Sequence, residues 1–337
     1  MRQVITYATL LVALLAAAWF RWTAAPDASD GDKVVLLQGQ PDQLKQVHWK
    51  TEDAEATISR KEDEHGSYLW VEYTKQETAK PLTPPGADAT LPLPPPEKVA
   101  KTTVFKASDK GDELITSLAP MYALRKLEGV TGDKLAEIGL DAPTEELDLT
   151  YGDKTTALMI GGESYGTKDR YVQVKDSGDI YLVDDQLLKS LQYARTRLPD
   201  RDLWSFKDPE IASILVDNGT GKAEVTQKNP DDEKARQWVK ADGTVDEQMT
   251  TWLDKALKLR GTTYVDEGAE DAPKDLQFRF SMRLTPSSPK AKAETLEVLQ
   301  DGTDGDYYGR SEHTRGLLRL LRAPTRGVVE DVAGLVE

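Results

Sequence analysis

The segment VITYATLLVALLAAAWF, Val4–Phe20, decides the architecture because it carries no charged residue in a chain that is otherwise strongly polar. At about 1.5 Å of rise per residue, a helix of this length just reaches across the hydrocarbon core of a bilayer. The sequence therefore predicts an N-terminal transmembrane helix within residues 1–25 that carries a hydrophilic body. The residues expected to hold this anchor in lipid are Val4, Leu10, Leu11, Leu14, Leu15, Trp19, Phe20 and Trp22.

A cleaved signal peptide is the alternative interpretation of this segment. Trp19–Trp22 form an aromatic and cationic collar typical of the headgroup region, whereas Thr23–Ala25 offer the small residues of a cleavage site. The collar favours a retained anchor. Because only a very short positive segment precedes the span, we expect a single-pass protein whose body lies outside the cytoplasmic membrane, in the periplasm.

The composition excludes several classes of function. The chain has 43 basic and 58 acidic residues and a formal net charge of −15, a field that repels nucleic-acid phosphates and anionic lipid surfaces. It contains no cysteine, which excludes disulfide partners, thiolate metal sites and a lipid-modified cysteine anchor. We therefore expect no nucleic-acid partner, and membrane attachment through the N-terminal helix alone.

The sequence of the body predicts an internal repeat of two similar units. Short alternating strands, a helix, further strands and a second helix follow one another twice, with Ala56–Lys61 resembling Ala223–Lys228 and Trp70 opposite Trp238. Tight polar turns predict mostly antiparallel sheets with helices on one face. The predicted fold class is α+β, with an N-terminal transmembrane helix followed by two tandem units. The predicted bounds are a linker at 26–33, a first unit at 34–204 and a second unit at 205–337.

Helices and loops follow from spacing and from proline. Apolar residues recur every three or four positions from Val245, at Met249, Trp252, Leu253, Ala256 and Leu257, and Gly261 ends this helix. The first copy has a similar series at Leu114, Leu118, Met121, Tyr122 and Leu127, in which Pro120 should bend or divide the helix. Seven of the 18 prolines fall within residues 80–98, which predicts an extended loop outside the sheet.

Several pieces of the first unit occur in the order and spacing of a known family. They are Ile138–Pro143, Leu158–Gly161, Arg170–Val172, Ile180–Val183 and Leu198–Trp204. On these residues the chain resembles a bacterial family of membrane-anchored proteins, domain of unknown function 4340 (DUF4340). The resemblance implies an inner-membrane span and an association with gliding-motility-type ABC transporters, and it supplies no catalytic residues.

Gly162–Gly166 fits the pattern of a nucleophile elbow around Ser164. The elbow requires a helix directly after the serine, whereas residues 167–174 read as a turn and a strand. His313 is the one downstream histidine that could act as a base. A hairpin turn is therefore favoured over a hydrolase site.

Four acidic residues, Asp301, Asp304, Asp306 and Glu312, suggest a calcium loop. The pattern fails where Thr303 and Gly305 replace ligands and where Asp306 replaces the glycine of the sharp turn. The sequence therefore favours a turn without a metal.

Arg315, Arg319, Arg322 and Arg326 form a basic patch interleaved with leucines, and they are the candidate partner-binding residues. In a helix they would share one face; in the strand that the repeat predicts, they would divide between two faces. Neutralisation of nearby carboxylates is the alternative role for them.

We find no catalytic, cofactor-binding or metal-binding constellation in the sequence. The function expected is that of a non-enzymatic, single-span accessory subunit of a bacterial ABC transporter system, contacting the membrane subunits of the transporter. The alternative is an envelope-anchored module that binds a glycan or peptide in a cleft between the units near Trp204.

Overall fold

The computed structural model describes residues 33–78, 98–232, 235–269 and 272–336. The predicted anchor and nearly all of the predicted proline-rich loop lie outside these residues. Within them, the chain forms antiparallel sheets with few helices, which confirms the mostly antiparallel α+β prediction and makes the protein rich in β-structure.

The first unit contains the strands up to residue 183 and four helices. Its strands are β1 (Val34–Leu37), β2 (Leu44–Lys50), β3 (Ala54–Asp63), β4 (Gly66–Thr78), β5 (Lys98–Lys106), β6 (Met121–Ala123), β7 (Arg125–Leu127), β8 (Glu145–Tyr151), β9 (Lys154–Glu163), β10 (Arg170–Val174) and β11 (Ile180–Val183). Its helices are α1 (Asp109–Leu118), α2 (Asp133–Glu137), α3 (Asp185–Gln192) and α4 (Ala194–Arg197). Nine strands form one sheet in the order β5-β4-β3-β2-β8-β9-β10-β11-β7, and β1 pairs with β6 in a separate ribbon.

The second unit follows a 3₁₀ turn at Asp208–Glu210. Its strands are β12 (Ile211–Asp217), β13 (Lys222–Lys228), β14 (Gln237–Val239), β15 (Gly261–Tyr264), β16 (Leu276–Pro286), β17 (Glu294–Asp301), β18 (Tyr307–Arg310) and β19 (Leu318–Leu320). Its helices are α5 (Glu247–Ala256) and α6 (Arg322–Val332). The eight strands form one sheet in the order β14-β13-β12-β16-β17-β18-β19-β15.

The two sheets have the same strand order. In each, three strands form a meander, a helix then leads to a strand at the far edge, and the chain returns beside the first strand of the meander. The two orders match position by position when β4-β3-β2-β8-β9-β10-β11-β7 is placed beside β14-β13-β12-β16-β17-β18-β19-β15. The first sheet has one additional edge strand, β5.

One face of each sheet is buried against its helices. In β8, Leu147 and Leu149 are fully buried while the residues between and beside them are partly exposed, as the period of two requires. Leu188 of α3 joins the same core. Phe280 and Trp252 pack edge to face in the second core, with ring centroids 5.5 Å apart. Each unit therefore has its own large hydrophobic core.

The helix predicted from Val245 is α5. Asp246 caps it, since the side chain accepts a hydrogen bond from the backbone N–H of Met249 at 2.9 Å. Met249, Trp252 and Leu253 are buried, as the spacing predicts.

The helix predicted around Pro120 is shorter than its apolar series. It ends at Leu118, and Met121 and Tyr122 lie in β6 while Leu127 lies in β7. Proline has no N–H to donate and disfavours helical geometry in the residue before it, so the chain leaves the helix there. Met121 is buried in β6, Tyr122 is exposed, and Leu127 is partly buried in β7.

The last helix, α6, contains both a proline and a glycine. Pro324 and Gly327 both oppose a long helix, yet α6 runs from Arg322 through both. Pro324 lies in the first turn, where a backbone N–H has no helical acceptor in any case.

The family-like pieces of the first unit meet in space. Gly139 has φ of +69°, a left-handed conformation that ends α2 and brings Ile138 over β9. The Ile138 carbonyl accepts a hydrogen bond from the N–H of Gly162 at 2.7 Å. Arg170 donates to the Gly161 carbonyl at 2.7 Å and pairs with Glu145 at 2.8 Å. These residues therefore hold the α2 exit, β8, β9 and β10 together.

Replacement of Gly161 by alanine should destabilise the first unit. A Cβ at this position would lie 2.5 Å from the Ile138 carbonyl oxygen and 2.9 Å from Leu140 Cγ, so backbone must move. We expect a loss of about 1–3 kcal/mol of unfolding free energy, measured by urea unfolding of the full chain in mild detergent. Gly327→Ala is the matched control, since a Cβ at that position would meet no atom within 4 Å and alanine favours a helix interior. An equal effect of both changes would contradict this close-approach argument.

Candidate binding site at the junction of the two units

Three charged or polar side chains from distant parts of the chain meet between the units. Lys106 ends β5, Asp200 lies in the connection after α4, and His313 lies in the loop before β19. The Asp200 carboxylate is 2.9 Å from Lys106 Nζ and 2.9 Å from His313 Nε2. The three side chains are only 12–15% exposed. We call them the junction cluster.

Electrostatic complementarity holds the junction cluster together. Burial alone would raise the pKa of Asp200, but the hydrogen bond from His313 and the positive charge of Lys106 outweigh burial and lower it. Lys106 Nζ also lies 3.2 Å from the His313 ring nitrogens. The tautomer with hydrogen on Nε2 satisfies these contacts, since it donates to Asp200 and leaves Nδ1 to accept from Lys106.

Aromatic residues pack beside the junction cluster. Phe105 of the first unit and Tyr264 of the second have ring centroids 6.2 Å apart, and Tyr264 belongs to the core of the first unit. The Tyr264 hydroxyl donates to the Thr314 carbonyl at 3.2 Å. Burial, with a further contribution from the Asp200 charge, raises the pKa of Tyr264. The phenol therefore stays a neutral donor.

The β3–β4 hairpin adds a second contact between the units. Arg315 Nη2 donates to Asp63 Oδ1 at 3.0 Å, and its guanidinium lies 5.1 Å from the centre of the Tyr68 ring. Lys292 donates to the Glu64 carbonyl. The two units are therefore in contact at the β3–β4 hairpin as well as at the junction cluster.

A cleft of about 770 Å³ opens on one side of the junction cluster. Asp200 and His313 form part of its wall, and Trp204 lies in the same wall with 9% of its surface exposed. This is the cleft near Trp204 that the sequence suggested as a ligand site. Its remaining polar lining mixes cations such as Lys110 and Arg260 with carboxylates such as Asp202.

The polar contacts of the His313 ring within the described residues are all with the other members of the junction cluster. Within the described chain, the hydrogen bonds of the His313 ring go to Lys106 and Asp200, so no hydroxyl is aligned for activation by it. In the described ranges, no group of three or more histidine or acidic side chains is arranged to hold a metal ion. The arrangement is that of a largely buried ionic contact between the two units.

Ser164 lies in the turn between β9 and β10. Its hydroxyl is 2.6 Å from the Thr167 hydroxyl, and its N–H donates to the Asp169 carbonyl at 2.6 Å. The chain then enters β10 rather than a helix. The geometry is that of the hairpin turn favoured from the sequence.

Three of the four acidic residues in the calcium-like stretch have separate side-chain partners. Glu312 accepts from the N–H of Thr295 at 2.5 Å, and Asp306 lies 3.6 Å from Arg319. Asp301 accepts from the N–H of Asp275 at 3.2 Å. Each of these carboxylates thus has a structural contact within the second unit.

The four candidate partner-binding arginines do not share a face. Arg315 lies in a loop, Arg319 in β19, and Arg322 and Arg326 in α6, so neither one helix nor one strand contains them all. Arg322 donates to the Asp304 carbonyl at 2.6 Å, and Arg326 pairs with Glu330 at 2.9 Å. Arg315, Arg319 and Arg326 lie within 4.0 Å of carboxylates, as neutralisation of nearby carboxylates would require, whereas Arg322 contacts a backbone carbonyl.

The predicted anchor residues, from Val4 to Trp22, lie outside the described residues. Among the helices that the structure does describe, none is both long enough and apolar enough to cross a bilayer. The anchor remains a prediction from the sequence.

No pattern in the sequence revealed the junction cluster as a unit. Lys106 and Asp200 are 94 residues apart, and Lys106 and His313 are 207 apart, so no local spacing predicts the contact. The sequence contains one partial indication of the cluster, since Asp200 falls within the family-like segment Leu198–Trp204.

The protein has a β-rich α+β fold. Its two sheets share the same strand order, pack against helices and are joined through the largely buried junction cluster. The chain belongs to the family described as Domain of unknown function (DUF4340), which matches residues 105–280. The match begins in β5 and ends in β16, so it includes Lys106 and Asp200 and crosses the junction. Comparisons with curated proteins and with solved structures found no match.

The stability of the junction should depend on acid pH. Because the pKa of Asp200 is lowered in the folded protein, its contribution is complete above its unfolded pKa of about 3.9 and is lost as pH falls through the folded value. We expect the difference in unfolding free energy between the natural chain and Asp200→Asn to be constant above about pH 5 and to shrink below about pH 4. Urea unfolding across this range measures it. If the difference in unfolding free energy between the two chains grew as the pH fell, the prediction would be wrong.

Proposed function

We propose that the chain is a non-enzymatic accessory subunit of a bacterial ABC transporter system of the gliding-motility type. Its N-terminal segment would anchor it in the inner membrane, and its body would lie in the periplasm. The observation that carries the proposal is an exposed apolar surface at the point where the described chain begins.

This surface lies on the ribbon of β1 and β6. It consists of Val35, Tyr122 and Leu124, which are 37–45% exposed, and we call it the apolar patch. Val35 pairs with Tyr122, and among the described strands β1 pairs with β6 alone, so its outer edge is open. Apolar side chains beside an open strand edge favour association with another protein.

The patch lies close to the predicted anchor along the chain. Twelve residues, 21–32, separate Phe20 from Lys33, and whatever their conformation these two residues lie at most about 47 Å apart. If Val4–Phe20 crosses the bilayer, the patch is therefore within reach of the periplasmic surface of a membrane subunit. A groove of about 510 Å³, whose lining includes Tyr122, Leu124 and Leu187, adjoins the patch and could receive a protruding side chain.

Purification of the tagged full chain from native membranes in mild detergent tests the proposal. We expect the permease and ATPase subunits of an ABC transporter to co-purify, identified by mass spectrometry. A chain that emerges without any transporter subunit would contradict the proposal.

A surface variant makes this test specific. Val35→Lys together with Tyr122→Lys should reduce recovery of the transporter subunits at least about tenfold, since each change places a charge in an apolar contact. Tyr165→Lys is the control, because Tyr165 is fully exposed in the β9–β10 turn. If the double variant recovers as much of the transporter subunits as the natural chain does, the apolar patch is not the contact with the transporter.

The Trp204 cleft favours a second candidate, an envelope-anchored module that binds a glycan or peptide. Its position at the junction of two units is typical of ligand sites, and its volume of about 770 Å³ suits a short oligomer. Titration of the full chain with cell-wall fragments, followed by tryptophan fluorescence, tests this candidate. A saturable change that Trp204→Phe abolishes would support it, whereas an unresponsive signal would count against it.

A further inference from the structure

A second, smaller groove lies beside the junction, between β5 and β15. Its volume is about 350 Å³, and Phe105 and Tyr264 form its buried floor. It differs from the Trp204 cleft in its lining. We call it the threonine–arginine groove.

The groove is cationic although the chain is strongly acidic. Lys101, Arg195, Arg201 and Arg319 line it, and Asp266 is the one carboxylate among its lining residues. Arg195 pairs with Glu77 and Arg319 with Asp306, so the positive charge left at the groove is that of Lys101 and Arg201, against Asp266. An excess of one sign of charge in a cleft attracts ligands of the opposite sign.

Two of these cations have no carboxylate partner in the described chain. Arg201 is oriented by backbone alone, since its Nε donates to the Thr262 carbonyl at 3.1 Å and its Nη2 to the Thr196 carbonyl at 3.4 Å. No carboxylate of the described residues lies within 4.0 Å of Arg201 or Lys101. A positioned guanidinium with unused N–H groups is a ready partner for a carboxylate of a ligand.

A carboxylate at the rim shows how the cations act on such a group. Glu77 accepts from Arg195 at 2.7 Å. This hydrogen bond lowers the pKa of Glu77, and the charge of Lys101 adds to the effect. An acid that enters the groove would be held ionised in the same way.

Threonines of both units are among the residues that line the groove. Thr103 lies on β5 and Thr263 on β15, and both line the groove. The Thr102 hydroxyl is hydrogen-bonded to the Thr74 hydroxyl at 2.9 Å, and the Thr262 hydroxyl donates to the Arg319 carbonyl at 2.9 Å. Thr103 and Thr263 have no such side-chain bond among the described residues, so their hydroxyls are free to pair with hydroxyls of a ligand.

We propose that the threonine–arginine groove binds a small acidic sugar, with its carboxylate on Arg201 and Lys101 and its hydroxyls on Thr103 and Thr263. This site is independent of the proposed transporter contact, because it lies on a different surface from the apolar patch and needs no second protein.

Calorimetric titration of the purified full chain with digalacturonate tests the proposal, with maltose as the neutral disaccharide of similar size. We expect saturable binding of digalacturonate, at least tenfold weaker binding of maltose, and a loss of affinity as salt is raised. Inorganic phosphate is the third probe and should bind more weakly than digalacturonate, since it cannot use the threonines. No binding of digalacturonate, or equal binding of maltose or phosphate, would overturn the assignment.

Two variants locate the binding. Lys101→Gln and Arg201→Gln should each weaken digalacturonate binding about tenfold, the value of one charge-assisted hydrogen bond. Arg326→Gln is the control, because the Arg326 side chain is exposed on α6, pairs with Glu330 and does not line the groove. Lys101 has no ion pair to lose within the described chain, so its variant should keep the folded stability of the natural chain. Equal affinity of Lys101→Gln and Arg326→Gln for digalacturonate would contradict the site.

Discussion

Asp200→Ala should destabilise the folded chain by about 3 kcal/mol. The change leaves Lys106 and His313 facing each other without the carboxylate that both contact at 2.9 Å. Breaking a largely buried pair costs much more than breaking an exposed one, because the remaining charge has lost both water and partner. Urea unfolding of the full chain in mild detergent measures the loss.

Asp202→Ala is the matched control for this change. Asp202 lies two residues further along the same connection and pairs with Arg260, but both side chains are more than half exposed. We therefore expect its loss to be at most about 1 kcal/mol. Equal losses for the two variants would show that the junction cluster contributes no more than a surface pair.

Glu145→Ala should cost a similar amount, about 3 kcal/mol, in the first unit. Glu145 is buried at the start of β8, where one oxygen accepts from the Trp49 indole at 2.7 Å and the other from Arg170 at 2.8 Å. Alanine would leave an indole N–H and a guanidinium largely buried without their acceptor. The same arginine carries the contact between β10 and the Gly161 carbonyl, so its loss of a partner should weaken the family-like cluster as a whole.

The neighbouring Glu146 provides the control. It is the next residue of β8, so its side chain points to the opposite face, where it pairs with exposed Lys175 at 3.1 Å. Glu146→Ala should therefore cost at most about 1 kcal/mol in urea unfolding. Glu145→Gln should fall between the two, because the amide oxygen can still accept from Trp49. A larger loss of unfolding free energy for Glu146→Ala than for Glu145→Ala would contradict the importance of the buried Glu145 contacts.

Local periodicity was sufficient to predict much of the fold. The spacing of Met249, Trp252 and Leu253 predicted α5, and the absence of a helical pattern after Ser164 predicted a hairpin turn. Antiparallel pairing followed from short strands with tight polar turns. These features depend on neighbours within a few residues, which a single sequence contains.

Features that depend on distant contacts could not be predicted in this way. The apolar series through Pro120 suits a helix and two short strands equally well until the pairing of β6 with β1 and of β7 with β11 is known. The junction cluster joins residues up to 207 positions apart. The four arginines were grouped by their spacing, yet the structure divides them among a loop, a strand and a helix.

The most direct test of the proposed function is a photo-crosslink from the apolar patch in native membranes. A benzophenone amino acid at position 122 should crosslink the chain to an ABC transporter membrane subunit, identified by mass spectrometry, while the same group at position 165 should not. No transporter crosslink from position 122, or equal crosslinking from both positions, would contradict the account.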